Sequence, residues 1–200
     1  MKRSNVLILV LVFLFIMGLV YLNIELVFAL DKTIANFLYN TAHSLWIVKV
    51  VNWVSNYTIG SVFGLIVVVF YLLEKEKIRE LGFFGIVCLL MLLINFTIKN
   101  CVMRLRPFEV MPEIANLSTS NMLDFYSFPS SHAMYSIFVA YFLSNTIWKN
   151  SRLKFLIYFL AILVCFSRLY LGVHYLSDVA AGALLGLIFA MLTISVMYKR

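Results

Sequence analysis

Three short segments hold the residues of this 200-residue chain that are best suited to chemistry on a phosphate group. They are Lys99-x6-Arg106-Pro107, Pro129-Ser130-Ser131-His132 and Ser167-Arg168-x5-His174-x3-Asp178. Together they supply cations, imidazoles, a carboxylate and hydroxyls, although the chain around them is mostly apolar. Phosphoryl transfer depends on positioning and on stabilising negative charge, and these groups provide both. The three segments therefore predict a single phosphate site.

The cations of this predicted site are Lys99, Arg106 and Arg168. Guanidinium groups present forked donors that match phosphate oxygens, and lysine adds a point charge. Together they could hold a phosphate dianion and favour the greater charge of its transition state. Lys99 or Arg106 alone could equally extend from the end of an apolar span to the membrane interface. Arg168 is harder to explain in that way, because it precedes Gly172 inside an apolar helix end.

The two motif histidines predict acid–base and nucleophilic roles. His174 and Asp178 are four residues apart, so on a helix they share one face and the carboxylate can accept from one imidazole nitrogen. Alternatively, Asp178 could cap or pair locally at the helix start. His132 follows Ser130 and Ser131 at a predicted helix N-terminus, where backbone N–H groups favour anions. Convergence with a second histidine and three cations favours a general acid at His132.

The composition indicates the elements that must position these residues. The chain is 64% hydrophobic and 12% charged, with a mean hydropathy of +0.99, which is typical of a polytopic all-α membrane protein. Its net charge of +7 is dispersed at the ends of apolar runs and forms no basic face, so a nucleic-acid partner is not predicted. The acidic residues of the longest polar stretch fit no metal-binding pattern and are predicted to be solvated loop charges; they are Glu109, Glu113 and Asp124.

The apolar runs predict one integral-membrane domain over residues 1–200. Residues 23–52 mix polar and apolar positions and predict an amphipathic helical segment at the membrane interface. Pro107, Pro112 and Pro129 interrupt the polar stretch over residues 99–130. The six predicted transmembrane helices cover residues 5–22, 53–73, 81–98, 132–148, 155–171 and 174–197.

The distribution of Lys and Arg predicts the orientation. Ten of the 16 basic residues fall on the side that holds both termini, so both termini are predicted to be cytoplasmic. The remaining six include Lys99, Arg106 and Arg168. All three motif segments then lie at the outer ends of spans three to six, which predicts a single extracytoplasmic site in a cell-membrane protein.

The three segments resemble the type 2 phosphatidic acid phosphatase superfamily, which also includes glucose-6-phosphatases and vanadium haloperoxidases. The family pattern is K-x6-RP, then PSGH, then SR-x5-H-x3-D. The chain matches the first and third motifs at every fixed position and the second at three of four. The motifs span residues 99–178, and the six-span layout extends the resemblance over most of the chain.

The resemblance implies a role for each matching residue. His174 would attack phosphorus and carry a phosphohistidine, Asp178 would orient it, and His132 would protonate the leaving oxygen. The phosphoryl oxygens would be held by Lys99, Arg106, Arg168, Ser130 and the backbone N–H of Ser131. No metal or other cofactor is implied.

Ser131 is the one departure, because the family has Gly there. A backbone N–H survives the change, but a positive φ at this position would make Ser costly. Its hydroxymethyl group could also narrow the pocket. We expect activity to be retained.

These observations predict a lipid phosphatase that removes a terminal phosphate from a lipid phosphate or diphosphate at the outer leaflet. Undecaprenyl diphosphate is the first candidate substrate, followed by phosphatidylglycerophosphate or phosphatidate. Transfer of the phosphoryl group to a lipid or sugar acceptor is an alternative that the sequence does not separate. A transporter or binding protein for anionic lipids would explain the cations but leaves His132 and the His174–Asp178 pair without purpose. The apolar spans exclude a soluble haloperoxidase, and the sequence carries no information on oligomeric state.

Overall fold

The computed structural model describes residues 3–41, 45–55, 78–119, 126–146 and 152–197. Regular structure in these ranges is helical throughout, which confirms the predicted all-α class. His43, Asp124 and most of the predicted second span lie outside the described residues. The helices are α1 (Arg3–Tyr21), α2 (Glu25–Thr41), α3 (Leu45–Ser55), α4 (Ile78–Val102), α5 (Pro107–Val110), α6 (Ser131–Asn145), α7 (Leu153–Tyr170) and α8 (Leu176–Met197).

The described helices include three segments that are long and apolar enough to cross a membrane, namely Gly82–Val110, Leu153–Tyr170 and Leu176–Met197. A fourth arises if α1 and α2 are taken together as one bent span. The predicted fourth span corresponds to α6, which has 15 described residues and is shorter than an ordinary spanning helix. The membrane-embedded character is therefore clear, and the count of six spans stays a prediction.

The helix α2 turns away from α1 by 89°. The chain makes this turn at Asn23, whose φ of +50° lies in the left-handed region that asparagine tolerates better than most residues. Such an angle is what a spanning α1 followed by an interfacial α2 would require. However, α2 also packs against α7 and α8, and the side chain of Asp31 is only 3% exposed. The polar residues predicted for this segment thus include one carboxylate that faces the protein interior.

The helices α6 and α8 make the most extensive contact in the described fold. Two glycines of α8 allow it. A Cβ at Gly182 would lie 2.4 Å from the carbonyl oxygen of Ser130, and one at Gly186 would lie 2.1 Å from that of Met134. Small residues four apart are the usual means by which membrane helices bring their backbones together. This packing places the N-terminus of α6 beside the first turns of α8.

Two left-handed residues end the helices that lead into the motifs. The helix α4 ends at Val102, and Met103 follows with a φ of +51°. The helix α7 ends at Tyr170, and Gly172 has a φ of +70°, which confirms the predicted helix end there. A Cβ at Gly172 would also meet the Cγ2 of Ile114 at 2.8 Å.

Candidate active site

Hydrogen bonds to backbone carbonyls hold the three motif segments together. The N–H of Ser127 donates to the carbonyl of Arg104 at 2.8 Å, and the N–H of Ser130 donates to the carbonyl of Asp178 at 3.0 Å. The guanidinium of Arg106 donates to the carbonyl of Val173 at 3.0 Å. The structure therefore brings the predicted segments to one place, between the ends of α4 and α7 and the beginnings of α6 and α8.

The three predicted cations are all buried. Lys99, in the last turn of α4, is 2% exposed and donates to the carbonyl of Tyr126 at 2.7 Å. Arg106 contacts the same carbonyl at 3.4 Å. Arg168, in the last turn of α7, donates to the hydroxyl of Ser55 at the end of α3. These carbonyl and hydroxyl acceptors are themselves uncharged, and a cluster of buried cations attracts anions.

His174 lies in the connection between α7 and α8 and is 3% exposed. Its Nε2 is 3.4 Å from Nη1 of Arg106, and its Nδ1 is 3.5 Å from Oδ2 of Asp178. Burial lowers the pKa of this imidazole well below its ordinary value of 6.5, and Arg106 and Arg168 lower it further. The ring is therefore neutral near pH 7, which is the state a nucleophilic imidazole requires.

Asp178 is fully buried, and both of its oxygens are fixed by neighbours. Its Oδ2 accepts from the N–H of Tyr175 at 2.8 Å, and its Oδ1 accepts from Nη1 of Arg104 at 2.6 Å. The first contact is the local helix capping that the sequence analysis held as an alternative. Asp178 also faces His174, although 3.5 Å is longer than a normal hydrogen bond.

The predicted helical start at His174 is wrong by two residues. The helix α8 begins at Leu176, because the carboxylate of Asp178 holds the N–H of Tyr175 and so caps the helix there. His174 and Asp178 are neighbours across this capped turn, and they do not share the face of a regular helix.

The N-terminus of α6 forms another wall of the site. Ser130 is its N-cap residue, and His132 lies in its first turn, so the first backbone N–H groups of the helix face the same region. The hydroxyl of Ser130 is fully buried and has no hydrogen-bond partner among the described residues. His132 interacts electrostatically with Arg168, His174 and Arg106. These interactions place His132 with the cations and with His174, and the hydrogen bond from the Ser130 N–H to the carbonyl of Asp178 places Ser130 beside them.

Ser131 fits its position without backbone strain. It is the first helical residue of α6, and its φ is not positive, so the cost considered for Ser in place of Gly does not arise. Its hydroxyl donates to Oδ1 of Asn95 at 3.0 Å, and Asn95 is 3% exposed. The departure from the family motif is thus matched by a buried partner on α4.

The structure adds residues that the sequence analysis did not place in the site. Arg104 occupies a variable position of the first motif and pairs with Asp178. Asp31 of α2 binds Arg104, and Ser55 of α3 binds Arg168. The position of Asp31 directly after an apolar run was the one indication available in the sequence. Nothing in the sequence pointed to Ser55 or to Asn95.

The family model described as the PAP2 superfamily matches residues 79–200. The chain belongs to the PAP2 superfamily. This is the family predicted from the motifs, and the matched range contains every residue predicted for the site. Phosphatidylglycerophosphatase B of Bacillus subtilis (strain 168) is 36% identical over 104 residues, which cover 48% of this chain and 47% of that relative. The alignment with this curated relative thus spans about half of the relative's length.

Two solved structures resemble the fold of this PAP2 member. A transmembrane PAP2-type phosphatidylglycerolphosphate phosphatase from Bacillus subtilis aligns with a TM-score of 0.72 and 27% identity, over 97% of this chain and 96% of that one. LpxE of Aquifex aeolicus aligns with a TM-score of 0.67 and 23% identity, over 83% of this chain and 95% of that one. At that identity the second likeness concerns the fold alone.

Proposed function

We propose that this PAP2 protein is an integral-membrane lipid phosphatase that acts through a phosphohistidine. The observation that carries the proposal is the setting of His174. One ring nitrogen faces the carboxylate of Asp178, and the other lies beside the guanidinium of Arg106. A neutral, buried imidazole with a cation at its free nitrogen is suited to attack a phosphorus atom whose oxygens that cation holds.

In the first step, Nε2 of His174 forms a bond to phosphorus while the bond from phosphorus to the lipid oxygen breaks. With the phosphate anion of the substrate bound beside it, His132 is in its imidazolium form. It gives a proton to the departing oxygen and becomes neutral, so the lipid leaves as a neutral alcohol or, from a diphosphate, as a protonated monophosphate. Asp178 stabilises the positive charge that develops on His174. Lys99, Arg106 and Arg168 hold the phosphoryl oxygens, together with the Ser130 hydroxyl and the Ser131 N–H.

In the second step, water attacks phosphorus and the bond between nitrogen and phosphorus breaks. His132, which is neutral after the first step, takes a proton from the water, and inorganic phosphate is released. His174 and His132 then return to their starting states. None of these steps needs a metal ion, since the buried cations supply the positive charge.

Phosphatidylglycerophosphate is the lipid that the comparisons favour as substrate. The curated relative and the structure at 27% identity are both named for phosphatase activity on this lipid. Undecaprenyl diphosphate, which the sequence analysis placed first, has no such support and becomes a competitor in the assay. The Lys and Arg distribution supports an extracytoplasmic site with cytoplasmic termini.

A phosphate-release assay on the purified, detergent-solubilised protein tests the proposal. The substrates are phosphatidylglycerophosphate, phosphatidate and undecaprenyl diphosphate, each with and without chelator. We expect release from at least one lipid in the presence of chelator, fastest from phosphatidylglycerophosphate, and none from His174→Ala. The control is His43→Ala, which changes a histidine outside the motifs. Wild-type turnover in His174→Ala would remove that residue as nucleophile, and binding without turnover of any lipid would favour a binding protein.

A further inference from the structure

One guanidinium joins the first motif, the third motif and α2. Arg104 donates through Nη1 to Oδ1 of Asp178 at 2.6 Å and through Nη2 to Oδ2 of Asp31 at 2.7 Å. Asp178 and Asp31 are 0% and 3% exposed, and Arg104 is 10% exposed. Two carboxylates therefore share one arginine in a largely buried cluster, and neither Arg104 nor Asp31 belongs to the fixed positions of the motifs.

Asp31 also hydrogen-bonds directly to the first turn of α8. Its Oδ1 accepts from the N–H of Ser177 at 3.0 Å, and its Oδ2 accepts from the Ser177 hydroxyl at 2.5 Å. That hydroxyl lies 2.6 Å from Nη1 of Arg104. The bend between α1 and α2 brings Asp31 into contact with Ser177, the residue before Asp178.

The aromatic ring of Tyr175 completes the cluster. The guanidinium carbon of Arg104 lies 4.1 Å from the ring centroid, which is cation–π distance. The N–H of Tyr175 holds the second oxygen of Asp178. The carboxylate therefore cannot rotate without losing a contact on either side, and Oδ2 stays on the side of His174.

The charges of the cluster suit the chemistry at His174. If Arg104 paired with Asp178 alone, it would neutralise the carboxylate that must stabilise a cationic His174. Asp31 compensates the guanidinium, so the three groups together retain one negative charge. In a buried setting such a charge acts strongly on a nearby imidazole.

We infer that Asp31 and Arg104 are positioning residues, which hold Asp178 against His174 and preserve its negative charge for the phosphoryl-transfer step. This inference rests on the proposed function. Neither residue is placed on the phosphate, so their effect should fall on turnover and leave substrate binding unchanged.

The mildest test is Asp31→Asn, which keeps the size of the side chain. We expect kcat to fall about tenfold with KM within about twofold of wild type, a magnitude typical of residues that orient a ligating or catalytic group. Arg104→Met should lose roughly a hundredfold, because two buried carboxylates are then left without their cation. Arg104→Lys keeps the charge and should recover part of that loss. Glu25→Gln is the control, since Glu25 is an exposed acid on the same helix.

A second readout separates positioning from mere packing and needs no turnover. The 15N chemical shifts of the His174 ring report which nitrogen carries the proton. We expect the Nδ1–H form in wild type, facing Asp178, and a growing Nε2–H fraction in Asp31→Asn, because an uncompensated Arg104 weakens Asp178 as an acceptor.

The outcomes are distinguishable. Wild-type kcat and an unchanged His174 tautomer in Asp31→Asn would overturn the inference. It would also be overturned if kcat and the melting temperature both fell while the tautomer stayed unchanged, because that combination indicates a role in packing alone. If wild-type protein hydrolyses none of the lipids, the proposed function fails, and the tautomer comparison still tests the cluster.

Discussion

Gly182 of α8 lies against the carbonyl oxygen of Ser130, so closely that a Cβ at this glycine would sit 2.4 Å from that oxygen. Ser130 is the N-cap of α6, so this contact sets the distance between two elements of the candidate phosphate site. The N–H of Ser130 also donates to the carbonyl of Asp178 at 3.0 Å, one turn before Gly182. The packing of α6 against α8 and the geometry of the candidate site therefore both depend on the contact between Gly182 and Ser130.

Gly182→Ala should push α6 away from α8. The new methyl group would meet backbone, which cannot yield as a flexible side chain does, so we expect a cost of about 2 kcal/mol and a loss of most activity. Thermal melting in detergent and phosphate release measure the two effects. Gly82→Ala on α4 is the matched control, because nothing lies within 4 Å of a Cβ there. Equal behaviour of the two variants would contradict the role of Gly182.

The sequence predicted the part of the site that short motifs contain. The structure brings together the five cationic and imidazole side chains that the motifs indicated, namely Lys99, Arg106, Arg168, His132 and His174. They could be predicted because charged groups and imidazoles are rare in apolar membrane segments and usually have a function there. A close approach of α8 to another helix could also have been predicted, since Gly182 and Gly186 have the spacing of a small-residue packing motif. Only the structure shows that the partner is α6.

The remaining contacts depend on tertiary structure. Asp31 is separated from Ser177 by 146 positions, and only the turn between α1 and α2 brings it to the site. Asn95 and Ser55 are ordinary polar residues until the fold places them beside Ser131 and Arg168. The true start of α8 depends on a capping contact of Asp178, which competes with the simple helical spacing from His174.

Ser130→Ala should impair catalysis without destabilising the protein. The hydroxyl is buried with no partner among the described residues, so its removal deletes no hydrogen bond to them, and the fold should be as stable or slightly more so. The variant loses the hydrogen bond that we propose between this hydroxyl and the charged phosphate, which should lower kcat/KM roughly ten- to hundredfold.

Ser144→Ala provides the control for that variant. Ser144 lies on the same helix and is also buried with a hydroxyl that has no partner among the described residues, but it is 14 positions further along. We expect wild-type kinetics there. An equal loss of activity in both variants would show that Ser130 acts through the helix and not through phosphate.

Ser131→Gly restores the residue of the family pattern and should lower stability. The variant loses the hydrogen bond to Asn95 and introduces a flexible residue at the first helical position, with an expected cost of about 1 kcal/mol. Turnover should stay within about threefold of wild type, since the backbone N–H that is proposed to hold a phosphoryl oxygen is unchanged. Ser131→Ala separates the hydrogen bond from the flexibility. A large gain in turnover for Ser131→Gly would show that the hydroxymethyl group obstructs the pocket.

His174 should remain neutral at pH values where an ordinary imidazole is protonated. Its pKa lies well below 6.5, first because of burial and then because of Arg106, Arg168 and Lys99, so lowering the pH through 6.5 should leave its 15N shifts unchanged. Lys99→Gln removes only a lesser cause, so the pKa should rise slightly and stay below 6.5. The chain has three histidines. The variants His43→Gln and His132→Gln each remove one set of imidazole 15N signals, so the remaining set can be assigned to His174. Titration of His174 near 6.5 would contradict its desolvated setting.

The proposed orientation can be tested with single cysteines in a chain whose Cys88, Cys101 and Cys165 are changed to Ser. Glu113→Cys places an exposed thiol beyond α5, on the side of the site, and Arg152→Cys places one before α7 on the opposite side. Because basic residues favour the cytoplasmic side, an impermeant maleimide should label Glu113→Cys in intact cells and Arg152→Cys only after permeabilisation. The reverse pattern would put the phosphate site in the cytoplasm, and the substrate would then have to be drawn from the inner leaflet.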